Sequence, residues 1–409
     1  MKYIKRSMEG VFLSLNTQYP VILITGPRQV GKTTMLQELS KQEGRSRNYV
    51  TLDDLNSRAL AKTDPAMFLQ LHQPPVLIDE VQYAPELFPY IKIHVDKTQT
   101  PGDFWLTSSQ LFKLMDGVHE SLAGRVALLH LSPLSQQEMY GGTPSEFKLN
   151  YDTLLEKQKE VVPVTTPHMF RRIFGGGMPA LASGQYKERS IFYSSYISTY
   201  LQRDVKELSG TIDSMKFLRF ITAVAARTAQ MVNYKGIADD CDIDQITAKN
   251  WLRILETLGI VFYLHPYSNN VLKRTVKTPK LYFYDTGLVC YLTKWSDSET
   301  AMNGAMNGAL LENYAVSEIL KSYQNAGKEA FLYYYRDKDT KEIDLLMEGD
   351  GKLYPIEIKK TITPDKRLLN VFSVIEKSQL KRGTGAVLCM ALKLSAFDKD
   401  NLIVPIALI

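Results

Sequence analysis

Eight residues, Gly26-Pro27-Arg28-Gln29-Val30-Gly31-Lys32-Thr33, restrict the fold more than any others: two glycines enclose four residues, and Lys-Thr follows. An apolar run, Val21–Thr25, leads in, and an amphipathic helical pattern, Lys32–Lys41, leads out. A buried strand, a glycine turn and a helix in that order make one unit of a parallel α/β sheet. The glycines let the backbone curl so that its N–H groups face phosphate oxygens, and the positive end of the helix dipole reinforces the site. Gly26, Pro27, Arg28, Gln29, Val30, Gly31, Lys32, Thr33 and Thr34 are therefore the expected ATP contacts. Lys32 is placed to reach the β- and γ-phosphates and Thr33 to hold Mg²⁺. A plain glycine turn is the alternative, but it needs neither the Lys-Thr pair nor the flanking elements.

Nucleotide hydrolysis needs a second part. Pro75-Val76-Leu77-Ile78-Asp79-Glu80 is an apolar strand ending in two acids. Asp79 would support the Mg²⁺ shell, and Glu80 would polarise the attacking water. Phe104–Gln110 is a further strand ending in small polar residues, which could set Ser109 or Gln110 to sense the γ-phosphate. The same residues would serve equally to cap a following helix over Leu111–Met115. Arg125 is a candidate arginine finger, acting on its own or a neighbour's γ-phosphate; a surface arginine or a structural ion pair is the equal alternative.

Composition narrows the class. A chain of 409 residues allows two to four domains at roughly 100–200 residues each. Its 44% hydrophobic and 23% charged residues exclude collagen-like, low-complexity and wholly disordered chains. No run approaches the roughly 20 apolar residues that cross a bilayer, so no membrane partner is expected. A net charge of +5 permits a nucleic-acid partner without requiring one. Cys241, Cys290 and Cys389 lie far apart, and no apolar leader follows Lys2, Lys5 and Arg6; the thiols read as reduced, in a cytoplasmic protein.

By texture the chain divides into 1–140, a P-loop ATPase core; 141–215, a helical lid and linker; 216–298, a middle module; and 299–409, a second α/β unit, with a linker near Ser296–Asn307. In the middle module Tyr234–Cys241 and Gln245–Leu258 form two helices around a turn. The second has an apolar face of Ile246, Leu252, Leu255 and Leu258. Ile260–His265 and Lys280–Tyr284 are the strands of a hairpin, and Asn270–Lys280 holds four cations and no acid. This is winged-helix texture. Gln245, Thr247, Lys249, Asn250 and Arg253 suit contact with a DNA major groove. A protein-interaction module with a solvated basic hairpin has equal standing.

At this point the chain resembles a large group of uncharacterised bacterial and archaeal AAA+-type ATPases, in which an ATPase core precedes a C-terminal domain of unknown function. Gly26–Thr34, Leu52–Asp54, Leu77–Gln82, Ser121–Arg125, Leu131–Ser135 and Tyr284–Leu288 carry the resemblance, which covers nearly the whole chain. One departure is Ser108, where the group usually has glycine. Gly176-Gly177-Met178-Pro179 is similar to a lid motif of related ATPases, whose proline packs near adenine; this implies a contact for Pro179. A plain turn is the comparable alternative.

The C-terminal unit places Glu312 on a helix (Gly308–Gln324), Asp344 on one strand and Glu357-Ile358-Lys359 on the next. That order resembles the PD-(D/E)xK nuclease core, a restriction-endonuclease-like α/β fold. The resemblance implies that Asp344 and Glu357 ligate Mg²⁺, that Glu312 completes the shell and that Lys359 orients or deprotonates water. Alternating charges on a solvated sheet face would look the same locally. The expectation is therefore an ATPase coupled to a winged helix and a nuclease-like domain acting on DNA. The alternative is a nucleotide-driven switch or assembly factor with a protein partner or homo-oligomer and a silent C-terminal domain.

Overall fold

The computed structural model describes residues 3–110, 121–210, 213–269, 278–339 and 341–409. The N-terminal part is a five-stranded parallel sheet of β1 (Val21–Thr25), β2 (Asn48–Thr51), β3 (Val76–Asp79), β4 (Phe104–Ser108) and β5 (Val126–His130), in the order β2-β3-β4-β1-β5. Its interior strand β1 is apolar on both sides. Val21 and Leu23 enter one core, and Ile22 and Ile24 enter the other, as period-two alternation demands of a sheet covered on both faces. The helix expected after Gln110 falls on residues 111–115, outside the described residues.

After residue 140 the chain builds a second body. Helices cover Tyr151–Glu160 and Thr166–Gly175, and a long helical run covers Arg189–Ser209, with a wide π-helical turn at Tyr196–Leu201. The strands are β6 (Gln230–Met231), β7 (Val261–Pro266), β8 (Lys280–Phe283), β9 (Leu332–Arg336), β10 (Glu342–Gly349), β11 (Lys352–Lys359), β12 (Lys381–Arg382), β13 (Gly385–Cys389), β14 (Ser395–Asp398) and β15 (Asn401–Pro405). They form one mixed sheet, β14-β15-β13-β11-β10-β9-β7-β8-β6, with β12 beside β11. The join is a parallel pairing of β7 with β9, His265 opposite Tyr333. One continuous apolar core runs from Phe147 to Ile409.

Several local expectations are corrected. The Ser296–Asn307 stretch is not a bare linker: it holds the helix Ser298–Asn303, capped by Asp297, with Ala301 buried. Ile246 is 73% exposed; Ala248 and Trp251 join Leu252 and Leu255 in facing the core instead. Ile343, Leu345 and Met347 do not share a face, because the β9–β10 register shifts between Ile343 and Leu346. Ile343 and Leu346 therefore pack in one cluster, and Leu345 and Met347 in another. Residues 270–277 of the basic hairpin lie outside the described residues. Lys280, counted as one of its cations, is buried on β8.

Candidate functional site

Because β4 lies between β1 and β3 and all three run parallel, Gly26, Asp79 and Ser109 emerge at one edge of the sheet. The carboxyl ends of the strands are where open α/β sheets take ligands. Gly26 sits at φ 140°, and a Cβ there would stand 2.1 Å from the Leu131 carbonyl oxygen, so only glycine lets the loop turn here. Lys32 is buried, and its Nζ donates to the Gly26 and Pro27 carbonyls, both at 2.9 Å. Thr33 Oγ1 donates to Asp79 Oδ1 at 2.6 Å, and Thr107 Oγ1 donates to the same oxygen. A threonine hydroxyl and a carboxylate side by side are the hard-oxygen donors Mg²⁺ prefers.

Glu80 is held in left-handed backbone at φ 56°, and its N–H donates to Thr107 Oγ1 at 3.0 Å. Ser109 Oγ donates to Glu80 Oε2 at 2.9 Å, and the Gln82 amide donates to that same oxygen. Burial alone would raise the Glu80 pKa; Lys32, these two donors and Arg28 outweigh it and hold the carboxyl below the usual range. Burial raises the Asp79 carboxyl despite its two threonine donors. His130, at the end of β5, is lowered to about 4 by burial and by the Lys32 charge, so it is neutral.

Arg28 leaves the loop towards the second body. Its Nε donates to Asp204 Oδ2 at 2.6 Å, and a terminal nitrogen donates to the Tyr83 hydroxyl at 3.2 Å. Gln29 Oε1, Gln82 Oε1, His130 Nε2 and Asp204 Oδ1 are buried here without hydrogen-bond partners among the described residues. Buried polar atoms left unpaired mark a place that a ligand or water completes.

A cavity of about 370 Å³ opens beside the loop, lined by Tyr3, Ile4, Gly31, Thr34, Pro179 and Tyr186 among others. Arg6 pins one wall, with its guanidinium on Glu138 at 2.9 Å and on the Val30 and Ser132 carbonyls at 2.7 Å. The opposite wall, Gly176–Pro179, is tied to the rest of the second body. Asp285 accepts from the Gly177 N–H and the Tyr193 hydroxyl, both at 2.6 Å, and from the Leu288 N–H at 2.8 Å. Gly176 has φ 73°, and a Cβ there would lie 2.5 Å from Asp285 Oδ1. Gly176→Ala is expected to destabilise the chain by at least about 2 kcal/mol and to weaken nucleotide binding through Pro179. Urea unfolding and nucleotide titration on the same variant check this; intact affinity would show that the tie does not shape the cavity.

Arg125 is not brought to the loop. It precedes β5, whose Val126 pairs with Val21 at the far end of β1, about 17 Å along the strand from Gly26 at ~3.3 Å per residue. There it pairs with Asp96 at 2.5 Å.

The four C-terminal residues do converge, with partners that no sequence pattern announced. Lys359 Nζ lies 2.7 Å from Asp344 Oδ2 and 2.8 Å from Glu357 Oε2. Lys280 enters from β8, 3.0 Å from Glu312 Oε1 and 2.6 Å from Glu342 Oε1. The Tyr282 hydroxyl donates to Glu312 Oε1 at 2.7 Å. Burial, with Asp344 beside them, pushes Glu312 up to about 7 and Glu357 up to about 8. Glu357 Oε1 has no hydrogen-bond partner among the described residues. Among those residues no group of three or more His, Cys, Asp or Glu side chains is arranged to hold a metal ion. The carboxylates are turned towards the two ammonium groups.

Among the described residues no helix is long and apolar enough to cross a membrane. Three family profiles match in sequence: an AAA domain over residues 18–140, a domain of unknown function (DUF8612) over 166–299, and a domain of unknown function (DUF4143) over 307–409. Among solved structures, the Walker-type ATPase PABY2304 of Pyrococcus abyssi is 16% identical with a TM-score of 0.43, covering 71% of this chain and 96% of that one. The Thermotoga maritima RuvB Holliday junction branch migration motor is 15% identical with a TM-score of 0.32, covering 63% of this chain and 89% of that one. Neither likeness is close enough to bear on function. The uncharacterized proteins Mb2031c of Mycobacterium bovis and Rv2008c of Mycobacterium tuberculosis are each 30% identical over 346 residues, covering 84% of this chain and 71% of theirs. With that identity and coverage, the chain belongs to the family of these two mycobacterial proteins, and its N-terminal part is an AAA-type P-loop domain.

Proposed function

We propose that the chain binds and hydrolyses ATP and that nucleotide state is passed from the P-loop domain to the second body. The observation that carries this is the joined network at one sheet edge: Thr33 and Thr107 on Asp79, and Ser109 and Gln82 on Glu80. Bound Mg²⁺, held by Thr33 and Asp79, would neutralise phosphate charge. Lys32 supplies countercharge at the loop. Glu80, ionised at neutral pH and fixed by its donors, orients and polarises the water. The Gly176–Pro179 wall and its tie to Asp285 offer a route for coupling, and so does Gly259, which lies beside the Pro27 ring. Arg125 faces the wrong edge for its own loop, so any role at a γ-phosphate belongs to a neighbouring copy.

For the second body the favoured reading is a switch whose C-terminal cluster is catalytically silent, because Lys280 and Lys359 each pair with two of its carboxylates. Two observations favour DNA action as the second reading. Three helices, Ser214–Ala225, Tyr234–Cys241 and Gln245–Thr257, with antiparallel β6, β8 and β7 support a winged-helix reading, and Gln245, Lys249, Asn250 and Arg253 are exposed. The convergence of Glu312, Asp344, Glu357 and Lys359, with an unpartnered Glu357 oxygen, supports a nuclease-like role. ATP turnover of the full chain with and without DNA, run beside a Mg²⁺-dependent cleavage assay, separates the two. The switch reading expects turnover and no cleavage. Cutting by wild type that is lost in Lys359→Ala, with ATPase retained, would establish the second reading instead.

A further inference from the structure

The Arg28–Asp204 pair joins the phosphate loop to a helix 176 residues further along the chain, with Asp204 buried and Arg28 partly so. An arginine inside a phosphate loop is an unusual place for a structural ion pair, since the loop's task is to gather positive charge for an anion. Arg28 also stands against the hydrolytic side of the loop. It donates to Tyr83, three residues beyond Glu80, and its charge is among those acting on Glu80. Its carboxylate partner is only half used: Asp204 Oδ1 makes no hydrogen bond among the described residues, and the Arg203 guanidinium lies 3.9 Å from it.

We infer that Arg28 is a triphosphate sensor that exchanges Asp204 for the γ-phosphate when ATP binds, and so releases the Gln202–Ser209 helix. This rests on the ATP reading above. A γ-phosphate carries more charge than one carboxylate and offers more acceptors to a forked guanidinium. The exchange leaves the Asp204 carboxylate with the Arg203 charge still beside it. The helix can respond, because the wide turn Tyr196–Leu201 immediately precedes it, and such π-helical turns occur frequently at functional sites. The movement has a destination: Gln202–Ser209 packs against Gln245–Thr257, the helix whose outer side carries Lys249, Asn250 and Arg253.

The test uses the full chain with ADP and with a non-hydrolysable ATP analogue. Charge-assisted hydrogen bonds of this kind are worth about tenfold or more in affinity. Arg28→Gln should therefore lose about tenfold in affinity for the analogue while ADP affinity stays within about twofold. Asp204→Asn should move the analogue-to-ADP preference the other way. In wild type, which needs no altered side chain to fold, amide exchange in Gln202–Ser209 should be faster with the analogue than with ADP. Equal losses for both nucleotides in Arg28→Gln, or identical exchange of that helix in the two complexes, overturns the sensor and leaves the ATP reading standing. Failure of wild type to bind either nucleotide overturns both.

Discussion

Lys32→Ala should abolish measurable ATP binding, and Glu80→Gln should keep binding while slowing turnover by at least about a hundredfold. The two changes probe different halves of one site. Lys32 is the buried cation of the loop, and its ammonium donates to the Gly26 and Pro27 carbonyls. Alanine removes both the countercharge and the strut that keeps the loop curled, so binding suffers twice. Glu80 does not touch the loop backbone. Its carboxylate is held by Ser109 and Gln82, which the glutamine amide can replace in shape but not in charge. Loss of a positioned base costs about 10²–10⁴ in rate. Fluorescent-nucleotide binding and phosphate release, measured on both variants, decide the matter. Undiminished turnover in both would remove the ATPase assignment altogether.

The second large effect lies far from the nucleotide. Lys280→Met should destabilise the second body by about 3–5 kcal/mol near pH 8, because removing one partner of a buried pair leaves uncompensated charge. Here that charge belongs to Glu312 and Glu342, each within 3.0 Å of the lysine. The loss should shrink as pH falls. Glu312 has a folded pKa raised to about 7, against about 4.3 when unfolded. Between those values the folded state binds the proton more tightly, so the Glu312 contribution is most favourable at the acid end and is lost as pH rises through about 7. Lys280 restrains that loss by attracting the ionised carboxylate. Without it the Glu312 pKa rises further, and the variant should fall behind wild type mainly above pH 7. Urea unfolding at pH 5.5 and pH 8.5, in metal-free buffer, measures the difference. A penalty below about 1 kcal/mol, or one that does not change with pH, would mean that the lysine contributes no electrostatic support.

The phosphate loop was legible because its chemistry is local. A strand, a glycine turn and a helix carry their identities in adjacent residues, and Asp79-Glu80 sits at the end of a strand whose apolar run announces it. Arg125 resisted sequence reading for the converse reason. Its motif is clear, but the end of the sheet on which it sits depends on strand direction and order, which pairing decides. Ile246 looked apolar-faced by spacing. The core instead took Ala248 and Trp251, because the helix packs at a rotation set by its neighbours, where contacts over the whole face outweigh one side chain.

Lys280 shows the same limit at the other charged centre. In sequence it is one of four cations in a basic stretch, and only the pairing of β7 with β9 carries its strand into the C-terminal sheet beside Glu312 and Glu342. Arg28 and Asp204 had no signal linking them at all. The sequence by itself determined the βα phosphate loop, the acids that serve it and the order of helices and strands in the later modules, since these follow from residue type and short-range period. The tertiary structure alone decided that the later modules share one core, that the C-terminal carboxylates meet two lysines, and that the loop arginine answers to a distant aspartate. The physical reason is that burial and electrostatic pairing depend on distance in space, and the chain returns to the same place across separations that no local pattern records.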